Sequence, residues 1–270
     1  VRAAGVIVDG DMIRTVATAG QKVCLAAHPH RFEAAHKGQL SVVAAFHDDK
    51  TLTRALQYQL KRNDPVNPSG VLRALQAMVR APRNFPPALA RWLVDTYAPD
   101  GGTILDPCAG FGGRLLGTLA SVKGLRYIGF DIEPRTVVGN RDLAVRCGAV
   151  DRVVVDARDA VDGTPWPTAD MVLTGPPYFD TETYGSISRS ACVSYAAWRD
   201  GFLRILIERA IQAAPVVAIN VAKVGANDLP ADAIACAQAI GGTLVQDIRW
   251  PRHAFGRQGR EERILVLRRG

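Results

Sequence analysis

Across the C-terminal two thirds of the chain, apolar runs of strand length alternate with segments whose apolar positions recur at helical spacing. Residues 103–105 predict a short buried strand, 106–113 a glycine-rich turn and 114 onward a helix. Downstream, the same alternation predicts strands at 126–130, 152–155, 170–173 and 216–221, with helices at 134–147, 195–213 and 230–239. Residues 243–250 and 263–267 close the chain as a strand pair. Strands separated by helices imply a mostly parallel sheet covered on both faces, and the closing hairpin adds an antiparallel edge. The expected architecture is α/β, a mostly parallel seven-stranded sheet with a small N-terminal α+β appendage.

The first 80 residues carry weaker periodicity. Two short apolar runs, 23–27 and 41–46, suit strands. Helices are predicted at 51–62, with Leu52, Leu56 and Leu60 on one face, and at 71–80, with Leu72, Leu75 and Val79. A third helix, 88–97, follows Asn84, Phe85 and two prolines, which are tolerated in a first helical turn. The division is therefore residues 1–80, an appendage that either meets nucleic acid or serves as a lid, and residues 81–270, the main domain.

Chemistry concentrates in the turn Asp106-Pro-Cys-Ala-Gly-Phe-Gly-Gly113. Gly110, Gly112 and Gly113 let the backbone bend and approach a ligand closely, and Asp106 is an acceptor at the strand end. A second strand ends in Asp131, 19 residues after Gly112, where a doubly wound sheet places a ribose-binding carboxylate. A carboxylate ahead of the glycines would repel a pyrophosphate and suits an ammonium group. The ligand expected is a nucleoside joined to an amino acid.

With Thr174-Gly-Pro-Pro-Tyr178, this turn resembles the S-adenosylmethionine-dependent methyltransferases, and among them the DNA amino-methyltransferases that modify adenine N6 or cytosine N4. The resemblance covers about residues 83–270 and implies the methyltransferase form of the Rossmann-like fold. It also implies S-adenosylmethionine as cofactor, held by Asn84, Phe85, Asp106, Cys108, Ala109, Gly110, Gly112, Asp131, Ile132, Asp156, Ala157 and Thr174. Gly175, Pro176, Pro177 and Tyr178 would present a flipped base, with Glu182 at the pocket rim. The family places Asp, Asn or Ser where this chain has Gly175, so the side-chain acceptor for the amine is missing. A backbone carbonyl, or Asp180 or Glu182, would have to substitute, or the site is inactive. An RNA amino-methyltransferase and a catalytically inactive subunit of the same fold stay open as alternatives.

A net charge of +7 favours a polyanionic partner, DNA in the first instance. Arg189 and the tail arginines Arg252, Arg257 and Arg260 are the candidate nucleic-acid contacts, the last three in a mobile hairpin loop. The tail's arginines, Arg249 and Arg263 among them, face only Glu261 and Glu262 in the sequence. No large recognition domain is apparent, which points to relaxed sequence preference, a specificity-providing partner or a homodimer. The five cysteines are scattered, and His28, His30 and His36 lack metal-ligand spacing, so no metal is expected. No apolar run reaches bilayer length, and a cytoplasmic, DNA-associated protein is the expectation.

Overall fold

The computed structural model describes residues 2, 3, 5–63, 65–79, 82–179, 181–183, 194–254 and 257–270, with side chains left out at 2, 3, 182, 183, 252–254 and 257–260. The chain opens with a meander of short antiparallel strands, β1 (Arg2–Ala3), β2 (Val6–Asp9) and β3 (Met12–Thr15). Helix α1 (Gln21–Ala27), strand β4 (Ala35–His36) and helices α2 (Val42–Phe46), α3 (Asp49–Lys61) and α4 (Pro68–Met78) follow. The main domain then runs α5 (Pro87–Tyr97), β5 (Thr103–Asp106), α6 (Gly113–Leu119), β6 (Arg126–Asp131), α7 (Pro134–Arg146), β7 (Val153–Ala157) and β8 (Met171–Thr174). It continues through β9 (Glu182–Thr183), α8 (Tyr195–Trp198), α9 (Arg204–Ala213), β10 (Val216–Ala222), α10 (Leu229–Ala239), β11 (Gly242–Ala254) and β12 (Arg257–Arg269).

The main sheet is ordered β1-β2-β3-β11-β12-β10-β8-β5-β6-β7. Strands β7, β6, β5, β8 and β10 are parallel, and β12 lies antiparallel between β10 and β11. Seven strands therefore form the expected arrangement, a mixed α/β sheet with antiparallel strands toward one edge. The meander β1–β3 widens it to ten, β3 running parallel to β11 at Met12↔Arg249. These strands escape prediction because each has four residues or fewer and gains its stability only by joining an edge already formed.

Side-chain alternation divides the interior. Ile104, Met171, Leu173 and Ala218 face one core, shared with Leu89 and Leu93 of α5; Leu105, Val172, Val217 and Ile219 face the other, shared with Leu206 and Ile207 of α9. Both faces of these strands are dry, which is why they read as continuous apolar runs. Burying each large aliphatic side chain contributes roughly 1.5–3 kcal/mol.

The two runs expected as strands are the helices α1 and α2. Their buried residues, Cys24 with Ala27 and Val42 with Ala45, are three positions apart, which is helical spacing. Ser41 caps α2 by accepting from the Ala44 N–H at 3.0 Å. Asp48 and Asn67 cap α3 and α4 in the same way, and Val42, Ala45, Ala55, Ala74, Leu75 and Val79 make a small separate core. The long helix expected at 195–213 is interrupted by a π-helical turn, Arg199–Leu203. The hairpin loop expected at 252–260 is instead strand: β11 and β12 stay paired to Ala254↔Arg257. Arg249 and Arg263 do not add to a free basic surface, because each faces an acid across this hairpin, Glu261 at 2.8 Å and Asp247.

Candidate active site

The C-terminal ends of the five parallel strands place Asp106, Asp131, Ala157, Thr174 and the β10 residue Asn220 along one rim of the sheet. Between β5 and α6 the chain makes the glycine turn. Gly110 and Gly112 both have positive φ, 56° and 77°, a conformation that side chains resist. At Gly112 a Cβ would stand 2.7 Å from Leu143 Cδ2 and 3.0 Å from His28 Cε1. A Cβ at Gly110 would meet nothing closer than 3.8 Å, so this position borders open space.

Asp106 is fully buried beneath the turn. Its Oδ2 accepts from Arg114 Nε–H at 2.6 Å and from the Tyr127 hydroxyl at 2.9 Å, and its Oδ1 accepts from the Thr174 hydroxyl at 3.0 Å. The expectation that this carboxylate faces the ligand as an open acceptor is therefore corrected: it is the hub joining β5, α6, β6 and β8. Arg114, buried with it, also donates to the Cys108 carbonyl and lies with its guanidinium carbon 5.6 Å from the Phe85 ring centroid. Buried charges persist only when paired and hydrogen-bonded, and both conditions are met.

Several residues expected to touch the cofactor brace the turn. Asn84 Nδ2–H donates to the Phe111 carbonyl at 3.0 Å, Phe85 packs edge-on against Trp250, and buried Ala109 donates its N–H to the Phe130 carbonyl at 2.8 Å. The partly exposed Cys108 carries a thiol pushed far up by burial and by the Asp106 carboxylate, so it remains protonated rather than nucleophilic. Asp131 lies at the rim, its carboxylate accepting from the Gly110 N–H and the Glu133 N–H, each at 2.9 Å. Burial raises its pKa to about 6, and those two hydrogen bonds offset part of the rise. Ile132 follows it, half-buried. Asp156 is exposed on the outer strand with Arg141 at 3.5 Å, and Ala157 is in register with Asp131.

The Gly175-Pro176-Pro177-Tyr178 turn leaves β8 directly after Thr174. Pro176 is buried, while Gly175, Pro177 and Tyr178 are half-buried. The backbone of Glu182 pairs with His36 and that of Thr183 with Ala35, so the N-terminal region is tied to the segment that follows the proline turn. His36 Nδ1–H and Lys37 N–H both donate to the Thr181 carbonyl, at 3.1 and 3.0 Å. The side chain of Glu182, Asp180, Arg189 and the side chains of Arg252, Arg257 and Arg260 lie outside the described residues.

His28 and His30 come against Phe111 of the glycine turn, at 6.0 and 5.7 Å between ring centroids. His28 is fully buried, its Nδ1–H donating to the Cys24 carbonyl at 2.9 Å, and burial lowers its pKa. Among the described residues no group of three or more His, Cys, Asp or Glu side chains is placed to hold a metal, and no helix is long and apolar enough to cross a membrane. Sequence reasoning missed Arg114, His28 and Asn220 as parts of this region. Asn220 alone had left a signal, as the one polar side chain in the otherwise apolar strand 216–222.

No protein-family model matches the chain. It is 37% identical over 98 residues to the tRNA (guanine(10)-N2)-dimethyltransferase of Methanothermobacter thermautotrophicus, a match spanning 36% of this chain and 28% of that enzyme. TrmN from Thermus thermophilus resembles it with a TM-score of 0.48 and 18% identity, over 68% of this chain and 49% of that one. The [4+2]-cyclase SpnF resembles it with a TM-score of 0.50 and 12% identity, over 68% of this chain and 81% of that one. That the last is a cyclase shows that a shared fold does not fix the reaction. The strand order and the glycine turn define the class: this is the Rossmann-like methyltransferase fold, whose cofactor is S-adenosylmethionine.

Proposed function

We propose that the chain is an S-adenosylmethionine-dependent RNA methyltransferase that modifies an exocyclic amino group of a base, with guanine N2 in tRNA as the first candidate. The observation that carries this reading is the bond from the Thr174 hydroxyl to Asp106, which ties the proline turn to the glycine turn and sets an acceptor site beside a cofactor site. The identity with a tRNA guanine-N2 enzyme favours RNA over DNA, and the net charge of +7 suits either polyanion.

The residues present fit the cofactor. Gly110 offers backbone next to open space, and Asp131 offers carboxylate oxygens at the rim, where ribose hydroxyls would donate to them. When bound, S-adenosylmethionine supplies a methyl group already activated on its sulfonium. Everything else falls to the chain. The amine's lone pair is delocalised into the ring, so the protein must hold the nitrogen, accept its hydrogens and exclude water. Pro176 and Pro177 stiffen the backbone whose carbonyls can accept, and half-buried Tyr178 offers a face for stacking on the base.

Cofactor affinity is expected to depend on pH through Asp131. Ribose hydroxyls donate to the ionised carboxylate, so affinity is full above its pKa of about 6 and falls by up to about tenfold per pH unit below it. The effect on stability has the opposite sense: the folded pKa lies above the usual value of 3.8, so this group's contribution is present at low pH and declines as pH rises toward 6. Calorimetric titration with S-adenosylmethionine between pH 5 and 7 checks the first statement, and Asp131→Asn should flatten the profile.

The function itself is tested by transfer of labelled methyl from S-adenosylmethionine to unmodified tRNA and to unmethylated genomic DNA in parallel. Label in the tRNA supports the proposal. Label confined to DNA would return the reading to a DNA amino-methyltransferase, and cofactor binding without transfer to either would indicate an inactive member of the fold.

A further inference from the structure

Residue 175 lacks the side-chain acceptor that an amine methyltransferase needs, and the adjacent strand carries one. The parallel register Ile219↔Thr174 makes Asn220 the next residue beside Gly175. A Cβ built on Gly175 would stand 3.6 Å from Asn220 Cβ and 3.2 Å from Arg114 Nη1, so a side chain there would enter the space these two residues border. Gly175 has no positive φ, so the glycine is not required by its backbone conformation.

The Asn220 amide is oriented by its neighbours. Its Nδ2 donates to Glu262 Oε2 at 2.8 Å and to the Tyr178 hydroxyl oxygen at 3.0 Å. A carboxylate accepts, so the nitrogen is the atom that faces Glu262, and the amide cannot be flipped without setting oxygen against oxygen. Glu262 is itself buried, on β12, and Ala222↔Glu262 pairing puts it on the same face of the sheet as Asn220. This leaves Oδ1 of Asn220 screened from solvent and without a hydrogen-bond partner. An orphaned buried amide oxygen is costly, and it recurs at functional sites where a ligand completes the set.

We propose that Asn220 supplies, from β10, the amide acceptor that the motif on β8 lacks: its Oδ1 accepts a hydrogen of the substrate's exocyclic amine. The assignment rests on the amino-methyltransferase reading above. Accepting one amine hydrogen draws the nitrogen lone pair out of conjugation, and Nδ2 at the same time anchors Tyr178 beneath the base. Glu262 holds the amide in that orientation and acts only as a positioning residue.

The test compares the natural chain with Asn220→Ala and with Asn220→Ala/Gly175→Asn, on unmodified tRNA in single-turnover methyl transfer. Asn220→Ala is expected to lower the transfer rate about 10- to 1000-fold, by analogy with removal of one oriented hydrogen-bond partner from an active site. Its affinity for S-adenosylhomocysteine and its melting temperature should stay close to those of the natural chain. Returning the amide to position 175 should recover at least about tenfold of the lost rate, a rescue that a purely structural asparagine would not give. A readout free of turnover is binding of unmodified tRNA to the S-adenosylhomocysteine complex: Asn220→Ala should weaken it, while binding of tRNA whose target amine is already dimethylated, and so has no hydrogen to give, should not change. An unchanged transfer rate in Asn220→Ala overturns the assignment and leaves the enzyme reading standing. So does a loss of rate matched by equal loss of cofactor affinity. Absence of transfer by the natural chain to tRNA and DNA alike overturns the enzyme reading and the assignment with it.

Discussion

Replacing Arg114 with methionine is expected to destabilise the protein by about 3–5 kcal/mol, the usual cost of removing one partner of a buried ion pair. Asp106 would remain fully buried, with Tyr127, Thr174 and a long contact of 3.3 Å from the Cys108 N–H as its donors, none of them cationic. The loss comes from the uncompensated charge. The double variant Arg114→Met/Asp106→Asn should therefore recover much of the stability even though it removes more native groups. Urea unfolding of both variants measures this. Equal destabilisation of the single and double variants would show that packing, and not charge pairing, dominates at this hub. Arg114 also borders Gly175, so both variants should lose methyl transfer beyond what stability accounts for.

Gly113→Ala should be nearly as damaging for a different reason. A Cβ there would lie 1.9 Å from the Phe85 carbonyl oxygen and 2.9 Å from Asn84 Oδ1. The first atom is backbone, so no rotamer change relieves the clash, and α6 must separate from the segment that leads into α5. Overpacking of this kind costs typically 1–3 kcal/mol, and the closeness of the contact puts the expected value near the top, about 3 kcal/mol. Because Asn84 holds the Phe111 carbonyl, the displacement carries into the glycine turn, and S-adenosylmethionine affinity should fall at least about tenfold. Gly110→Ala is the instructive contrast. Its Cβ meets open space, so the stability cost is limited to the left-handed backbone, about 1–2 kcal/mol, while cofactor affinity suffers from the group intruding on the bound ligand. Thermal unfolding and calorimetric titration of the two variants separate the effects.

Much of this architecture could be read from the chain. Met171–Thr174 and Val216–Ala222 are buried on both faces, and strands in that position write themselves as unbroken apolar runs between helices. The glycine turn and Asp131 were legible because their spacing is local. What escaped is non-local. Asp106 was expected at the ligand, and its true role depends on Tyr127 and Thr174, 21 and 68 residues further along, which only the sheet order brings together. Arg114 was unremarkable as a helix residue until its partner proved to be buried. The short helices α1 and α2 were taken for strands because a run of five or so apolar residues has no period to distinguish the two. The attachment of Ala35 and His36 to the segment after the proline turn likewise joins residues some 145 apart, as in the bond from His36 to Thr181.

The most direct measurement of the central claim is the chemical identity of the product. Unmodified tRNA is incubated with the natural chain and S-adenosylmethionine, digested to nucleosides and analysed by mass spectrometry against standards. A methyl group on an exocyclic nitrogen, N2-methylguanosine first, is the predicted result. Methyl on a ring nitrogen, a carbon or a ribose oxygen would contradict it, because those acceptors present no amine hydrogens for the Gly175-Pro176-Pro177 backbone and Asn220 to receive.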